Sequence, residues 1–271
     1  VASGSTGMGV IAVGTNAILY SEDGGKAWSS GTVSALNLKD VAMSGANAVA
    51  VATNALMYSK DGGKSWNTGT VSALNLKDVA MAGMNAIAVG TNAIMYSTNA
   101  GKSWGTGTAS ALNLTAVAMD KANPSKGVAV ANNAILYTSN GGKSWASGTA
   151  SAMNLRGVAM SNNKVVAIGT NMILRSDDGG KTWSTGTVSA MNLTSVAMSE
   201  KNVVVVGTNS ILYSGDAGKT WGTGTVSALN LTDVAISGSN VVAVGTNSIL
   251  YSTNAGKSWN TGTVSALNLT G

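Results

Sequence analysis

Seven tryptophans, Trp28, Trp66, Trp104, Trp145, Trp183, Trp221 and Trp259, follow one another at intervals of 38, 38, 41, 38, 38 and 38 residues. A period of that length marks one supersecondary unit copied along the chain, and such a unit can bury its apolar faces only against its neighbours. Counted from the Val-Ala pairs at Val1, Val41, Val79, Val117, Val158, Val196 and Val234, the seven units account for all 271 residues. The 41-residue unit has its extra residues within 120–126, which contains the only proline and reads as a longer surface loop.

In the unit from 76 to 111, turn residues separate four short strand-like pieces, at 76–81, 86–90, 93–97 and 103–108. The first three are rich in Val, Ile, Ala and Met, as strands covered on both faces are. Gly-Thr-Asn-Ala at 90–93 signals a tight hairpin, because Asn tolerates a positive φ. No stretch keeps apolar spacing of 3.6 residues over three turns, so essentially no helix is expected. Four antiparallel strands per unit suit an open stack or a closed ring, and an open stack needs polar capping units. Here the final residues run in register into Val1-Ala2. The expected fold is therefore all-β: a closed seven-bladed β-propeller, one domain over 1–271, with the two termini sharing a blade and leaving no open sheet edge.

Composition removes much of the enzyme repertoire. Without Cys or His there is no disulfide, no thiolate nucleophile, no Ser-His-Asp triad and no zinc site of the usual ligands. No apolar run approaches the roughly 20 residues of a membrane helix, so membrane insertion is not expected. The formal charge of +5 comes almost entirely from lysine, Arg156 and Arg175 being the only arginines. The amino-terminal residues show no basic segment followed by an apolar core. They fix no compartment, and export is favoured.

Between its third and fourth strands each unit reads Ser/Thr-x-Asp/Asn-x-Gly-Lys-x-Trp, as at Ser21-Glu22-Asp23-Gly24-Gly25-Lys26-Ala27-Trp28 and Ser176-Asp177-Asp178-Gly179-Gly180-Lys181-Thr182-Trp183. This resembles the Asp-box, or bacterial neuraminidase repeat. The longer pattern of Leu-x-x-Val-x-Met, Val-Ala-Val-Gly-x-Asn, Ile-Leu-Tyr-Ser and the box is similar to propellers of the photosystem II stability and assembly factor family. The box itself reads as a turn-maker: its short side chain accepts bonds from the turn's own N–H groups, Gly supplies the unusual φ, and Trp covers the hairpin. Asn99, Asn140 and Asn254 replace Asp in three units. An acceptor survives that exchange and a charge does not, which argues against metal binding or acid catalysis.

Sialidases also carry Asp-boxes, and resemblance to them implies three arginines on the substrate carboxylate and a Tyr nucleophile paired with Glu. This chain has two arginines, and its tyrosines Tyr20, Tyr58, Tyr96, Tyr137, Tyr213 and Tyr251 all hold one repeated strand position. Glycosidase chemistry also wants paired carboxylates in a cleft, and the only glutamates are Glu22 and Glu200. No catalytic residue, cofactor or metal site is expected.

Alternate turns of a four-stranded meander emerge on opposite faces of the ring. Lys26, Lys64, Lys102, Lys143, Lys181, Lys219 and Lys257 then form a basic ring on the box face, where solubility is the plain reading and nucleic acid is not an expected partner. The opposite face gathers two sevenfold arrays. Asn16, Asn54, Asn92, Asn133, Asn171, Asn209 and Asn247 sit in the hairpins, while Asn37, Asn75, Asn113, Asn154, Asn192, Asn230 and Asn268 sit in the Ser-Ala-Leu/Met-Asn-Leu connections. Asn offers donors and an acceptor to sugar hydroxyls, and a sevenfold array adds avidity. Local backbone bonding by these Asn residues is the competing reading. The expected function is multivalent, lectin-like carbohydrate binding without catalysis. The alternative is a scaffold for a protein partner, resembling the photosystem assembly factors and relying on features that break the symmetry: Arg156, Arg175 and residues 120–126. A designed or recently amplified propeller without a ligand also fits.

Overall fold

The computed structural model describes residues 1–4, 9–31, 37–69, 74–108, 112–149, 154–186, 192–224, 230–246 and 248–262. Seven separate four-stranded antiparallel sheets follow one another in chain order, each an up-and-down meander. There is no helix among the described residues, and so none long and apolar enough to cross a membrane. The third blade comprises Leu76–Ala82, Asn85–Gly90, Ala93–Ser97 and Gly105–Thr106. Inner strands contact inner strands around the whole ring, Ala2–Ser3 of the first blade touching both Leu38–Ser44 of the second and Leu231–Ser237 of the seventh.

Neighbouring blades make one apolar seam at a time. Val49 and Val51 of the second blade pack with Met81, Ala86, Ala88 and Met95 of the third. Val1, Val10 and Ala12 pack with Val242, Val244 and Ile249, which closes the ring between first and seventh blades. Each second strand is therefore covered on both faces, as in Val10–Gly14 and Val203–Val206, where the apolar side chains are essentially inaccessible. These are the β-branched runs that the sequence shows without alternation. Residues 263–271 lie outside the described residues, and with them the expected sharing of a blade by the two termini.

Two elements differ from expectation. The outermost strand has only two ladder residues, such as Gly105–Thr106, because Ser103 N–H is turned into the preceding box and bonds Asn99 Oδ1 at 3.0 Å. The extra residues of the long unit do not form a loop throughout. After the turn at Lys121-Ala122 they extend the second strand to nine residues, Asn123–Ala131. A ladder irregularity accommodates the added piece, where Met119 pairs Gly127 but Asp120 pairs Asn123, and Pro124 is tolerated at this disrupted register.

One irregularity recurs in the inner strands. In the second blade Leu38 pairs with Ala52 but Asp40 pairs with Val51, leaving Lys39 as the bulged residue. The same slip occurs at Leu76/Asp78, Leu114/Ala116, Leu155/Gly157, Leu193/Ser195 and Leu231/Asp233. A bulge re-aims side chains and bends the strand. Here it sets the two residues after each Leu at one mouth of the central channel.

Candidate functional site

The box turn is built almost wholly from its own side chains. Asp178 Oδ1 accepts from Ser176 Oγ at 2.8 Å, Lys181 N at 3.1 Å and Thr182 N at 2.9 Å, while Oδ2 accepts from Thr182 Oγ1 at 2.6 Å. Ser176 Oγ also accepts the Gly180 N–H at 2.9 Å, and Trp183 Nε1 donates to Gly180 O at 2.9 Å. Gly180 has φ +91°, which favours glycine. Partial burial works to raise the carboxylate's pKa, but the bonds from Thr182, Ser176 and Lys181 outweigh it and hold Asp178 at about 2. Asp61 and Asp216 are likewise held at about 2.

The Asn versions keep this geometry with one reversal. Asn99 Oδ1 still accepts Ser103 N–H, but Asn99 Nδ2 now donates to Ser103 Oγ at 2.7 Å. The neighbouring hydroxyl donates to Asp and accepts from Asn, so either residue closes the turn. Among the described residues no group of three or more acidic side chains is placed to hold a metal ion.

The box lies on the face of the strand 1–2 turns, to which it is tied by main-chain bonds such as Gly62 N to Ala46 O at 2.9 Å and Ala217 N to Lys201 O at 2.9 Å. The seven box lysines are all exposed on this face.

On the opposite face the two Asn arrays meet. All twelve candidates within the described residues are exposed; Asn247 and Asn268 lie outside them. A connection Asn stands between two hairpins. The hairpin of the preceding blade bridges to it, as Thr15 to Asn37, Thr91 to Asn113, Thr170 to Asn192 and Thr208 to Asn230. The hairpin of its own blade bonds its carbonyl, as Thr91 N to Asn75 O at 3.1 Å and Thr208 N to Asn192 O at 3.1 Å. Side chains join in, Thr91 Oγ1 donating to Asn113 Oδ1 at 3.1 Å and Arg156 Nη1 to Asn192 Oδ1 at 3.1 Å.

The array is not equivalent all round. Asn16, Asn92, Asn171 and Asn209 have φ between 55° and 58°, while Asn54 and Asn133 do not adopt the left-handed region. The difference traces to the last residue of the second strand. At Gly90, Gly169 and Gly207 an added Cβ would stand 2.0, 2.4 and 2.2 Å from the carbonyl oxygens of Asn75, Asn154 and Asn192. Only glycine admits so close a connection. The second and fourth blades have Ala52 and Ala131 there, and Asn54 and Asn133 follow them. The sequence displays this Gly/Ala exchange, but nothing in one repeat says that it controls the hairpin.

The channel mouth on this face breaks the repeat further. A cavity of about 270 Å³ is lined by the bulged residues, including Lys39, Lys77 and Arg156, and by the residues after them. That second position is Asp40, Asp78 and Asp233 in three blades but Ala116, Gly157 and Ser195 in the three between. Each Asp reaches to the next blade: Asp40 Oδ2 accepts Val79 N–H at 2.9 Å, Asp78 Oδ2 accepts Val117 N–H at 2.6 Å, and Asp233 accepts from the Val1 nitrogen. The Asp40 and Asp78 carboxyls lie beside each other. Burial raises the pKa of both, and the neighbouring Asp40 carboxyl pushes Asp78 further up. One side of the mouth thus holds clustered carboxyls, while Arg156 stands among uncharged neighbours on the other.

Fold and repeated turn together define a seven-bladed β-propeller with Asp-box repeats. The family model described as "BNR/Asp-box repeat" matches residues 57–68 and 174–185. No curated protein sequence matches the chain. Among solved structures, YCF48 bound to D1 peptide has a TM-score of 0.72 at 18% identity, over 93% of this chain and 92% of that one. YCF48 from Cyanidioschyzon merolae has a TM-score of 0.69 at 16% identity, over 90% and 95%. An ancestral GH74 enzyme has a TM-score of 0.60 at 14% identity, over 93% of this chain and 52% of that chain. At these identities the likeness is one of fold.

Proposed function

We propose that this propeller is a non-catalytic binding protein that holds a single protein partner over the channel mouth on the Asn face. The observation that carries this reading is the break in the repeat at that mouth, where carboxyls occupy one side and Arg156 the other. A chain of near-identical blades gains nothing from such asymmetry unless its partner is asymmetric too. A similar fold is known in complex with a peptide, in YCF48 bound to D1 peptide. The non-catalytic reading is supported by the arginines, since Arg156 lines the mouth on the Asn face while Arg175 lies beside the box on the other, bonded to Asp177. They do not converge on one substrate carboxylate.

Peptide-display selection on the purified chain tests the proposal. Enriched peptides are expected to bind with one equivalent per chain and to lose at least tenfold in affinity with Arg156→Ala. Failure to enrich any peptide, or binding indifferent to Arg156→Ala, would sink it. The second reading, multivalent glycan binding through the exposed Asn residues, is favoured by their exposure and predicts several equivalents per chain on a glycan array hit. The two hairpin geometries weaken it, because near-equivalent sites are its premise.

A further inference from the structure

Twelve of the fourteen lysines, together with Arg175, stand on the box face or at its rim, against eight carboxylates. The Asn face and channel hold Lys39, Lys77 and Arg156 against Asp40, Asp78 and Asp233. The formal charge of +5 therefore resides wholly on one side of the ring. Four of the eight opposing carboxylates, Asp23, Asp61, Asp178 and Asp216, are turned into their own box turns and accept main-chain N–H groups there. The lysines beside them project outward and are exposed. Among the described residues the one exposed large hydrophobic side chain, Met84, at 48% accessibility, stands in a strand 1–2 turn of the same face.

From this partition we infer that the box face adsorbs to an anionic lipid bilayer, the ring lying flat with its Asn face and channel mouth turned to solution. Lysine supplies compact point charges without the bidentate fork that reads phosphates one at a time. The box tryptophans are half-covered, and all but Trp221 donate to backbone, as Trp66 Nε1 does to Gly63 O at 2.9 Å, so the face offers no stacking platform for bases. A face of lysines with an exposed apolar tip in one of its turns suits a surface of many weak, laterally mobile charges. The neutral Asn face has no reason to compete for it. This inference does not depend on the identity of the partner on the other face.

Co-sedimentation of the full chain with vesicles tests it. Vesicles of phosphatidylcholine with about 30% phosphatidylglycerol should bind the chain near 0.1 M salt and release it as salt is raised, while pure phosphatidylcholine should not. Each lysine neutralised is expected to weaken partitioning about fivefold, so the triple variant Lys102→Gln, Lys143→Gln, Lys181→Gln should lose on the order of 100-fold. Lys39→Gln, Lys77→Gln on the opposite face should change nothing, and inorganic phosphate at millimolar concentration should not compete. Binding unaffected by the box lysines, equal loss from the Asn-face variant, competition by free phosphate, or preference for a duplex oligonucleotide at matched salt would each overturn the inference.

Discussion

If the box acidic residue is a turn-maker, Asp178→Ala and Asp178→Asn must separate cleanly. Alanine removes all four bonds that the carboxylate accepts, from Ser176 Oγ, Lys181 N, Thr182 N and Thr182 Oγ1. The freed Lys181 and Thr182 groups are exposed, so water takes them over and each bond counts near the low end of its range, about 0.5 kcal/mol, or about 2 kcal/mol in all. The pKa gives an independent check. A carboxyl held at about 2 against 3.8 corresponds to roughly 2.5 kcal/mol at neutral pH, which solvent screening of so accessible a group cuts to about 1 kcal/mol. That smaller part belongs to the charge and is what asparagine gives up, with Nδ2 bonding the Thr182 hydroxyl in return, as Asn99 does with Ser103. Asp178→Ala should therefore lower the melting temperature by about 4–8 °C and Asp178→Asn by no more than about 3 °C. Differential scanning calorimetry, repeated with and without added calcium, reads both. If asparagine proved as damaging as alanine, or calcium rescued the wild type alone, the charge and not the turn would be the box's purpose.

Stability should peak on the acid side of neutrality. Asp61, Asp178 and Asp216 have depressed pKa values, so their contribution is complete above about 4 and is lost as pH falls through about 2. Asp40 and Asp78 have raised values, so theirs is complete below about 4 and declines as pH rises through their folded pKa. Urea midpoints measured from pH 2 to 8 should show both limbs, and Asp78→Asn should flatten the upper limb while leaving the acid one unchanged. Gly90→Ala should move its hairpin toward the Ala52 form at about 1–3 kcal/mol. Loss of hydrogen-exchange protection at the Thr91 amide would report it, and a retained, protected Thr91 would contradict the close-approach reading. The reverse exchange, Ala52→Gly, should gain protection at Thr53.

A large share of this molecule is visible in one dimension. The tryptophan period gives seven units, apolar runs flanked by Gly, Asn and Ser give the meander, and Asn in place of Asp at 99, 140 and 254 already says that the box needs an acceptor more than a charge. These features are local: a turn closes on its own side chains, and a strand buried on both faces is apolar whoever its neighbour is. What the sequence withheld depends on residues that are distant along the chain and meet only in three dimensions. The bulge after Leu38 and its equivalents, and the Asn75 carbonyl resting where Gly90 lacks a side chain, exist only once the strands of a blade have paired, and the carboxyls of Asp40 and Asp78 meet only once two blades have packed together. Repetition tells the chain how to build a blade. Closure of the ring decides which departures from the repeat face one another, and therefore where an asymmetric partner can be recognised.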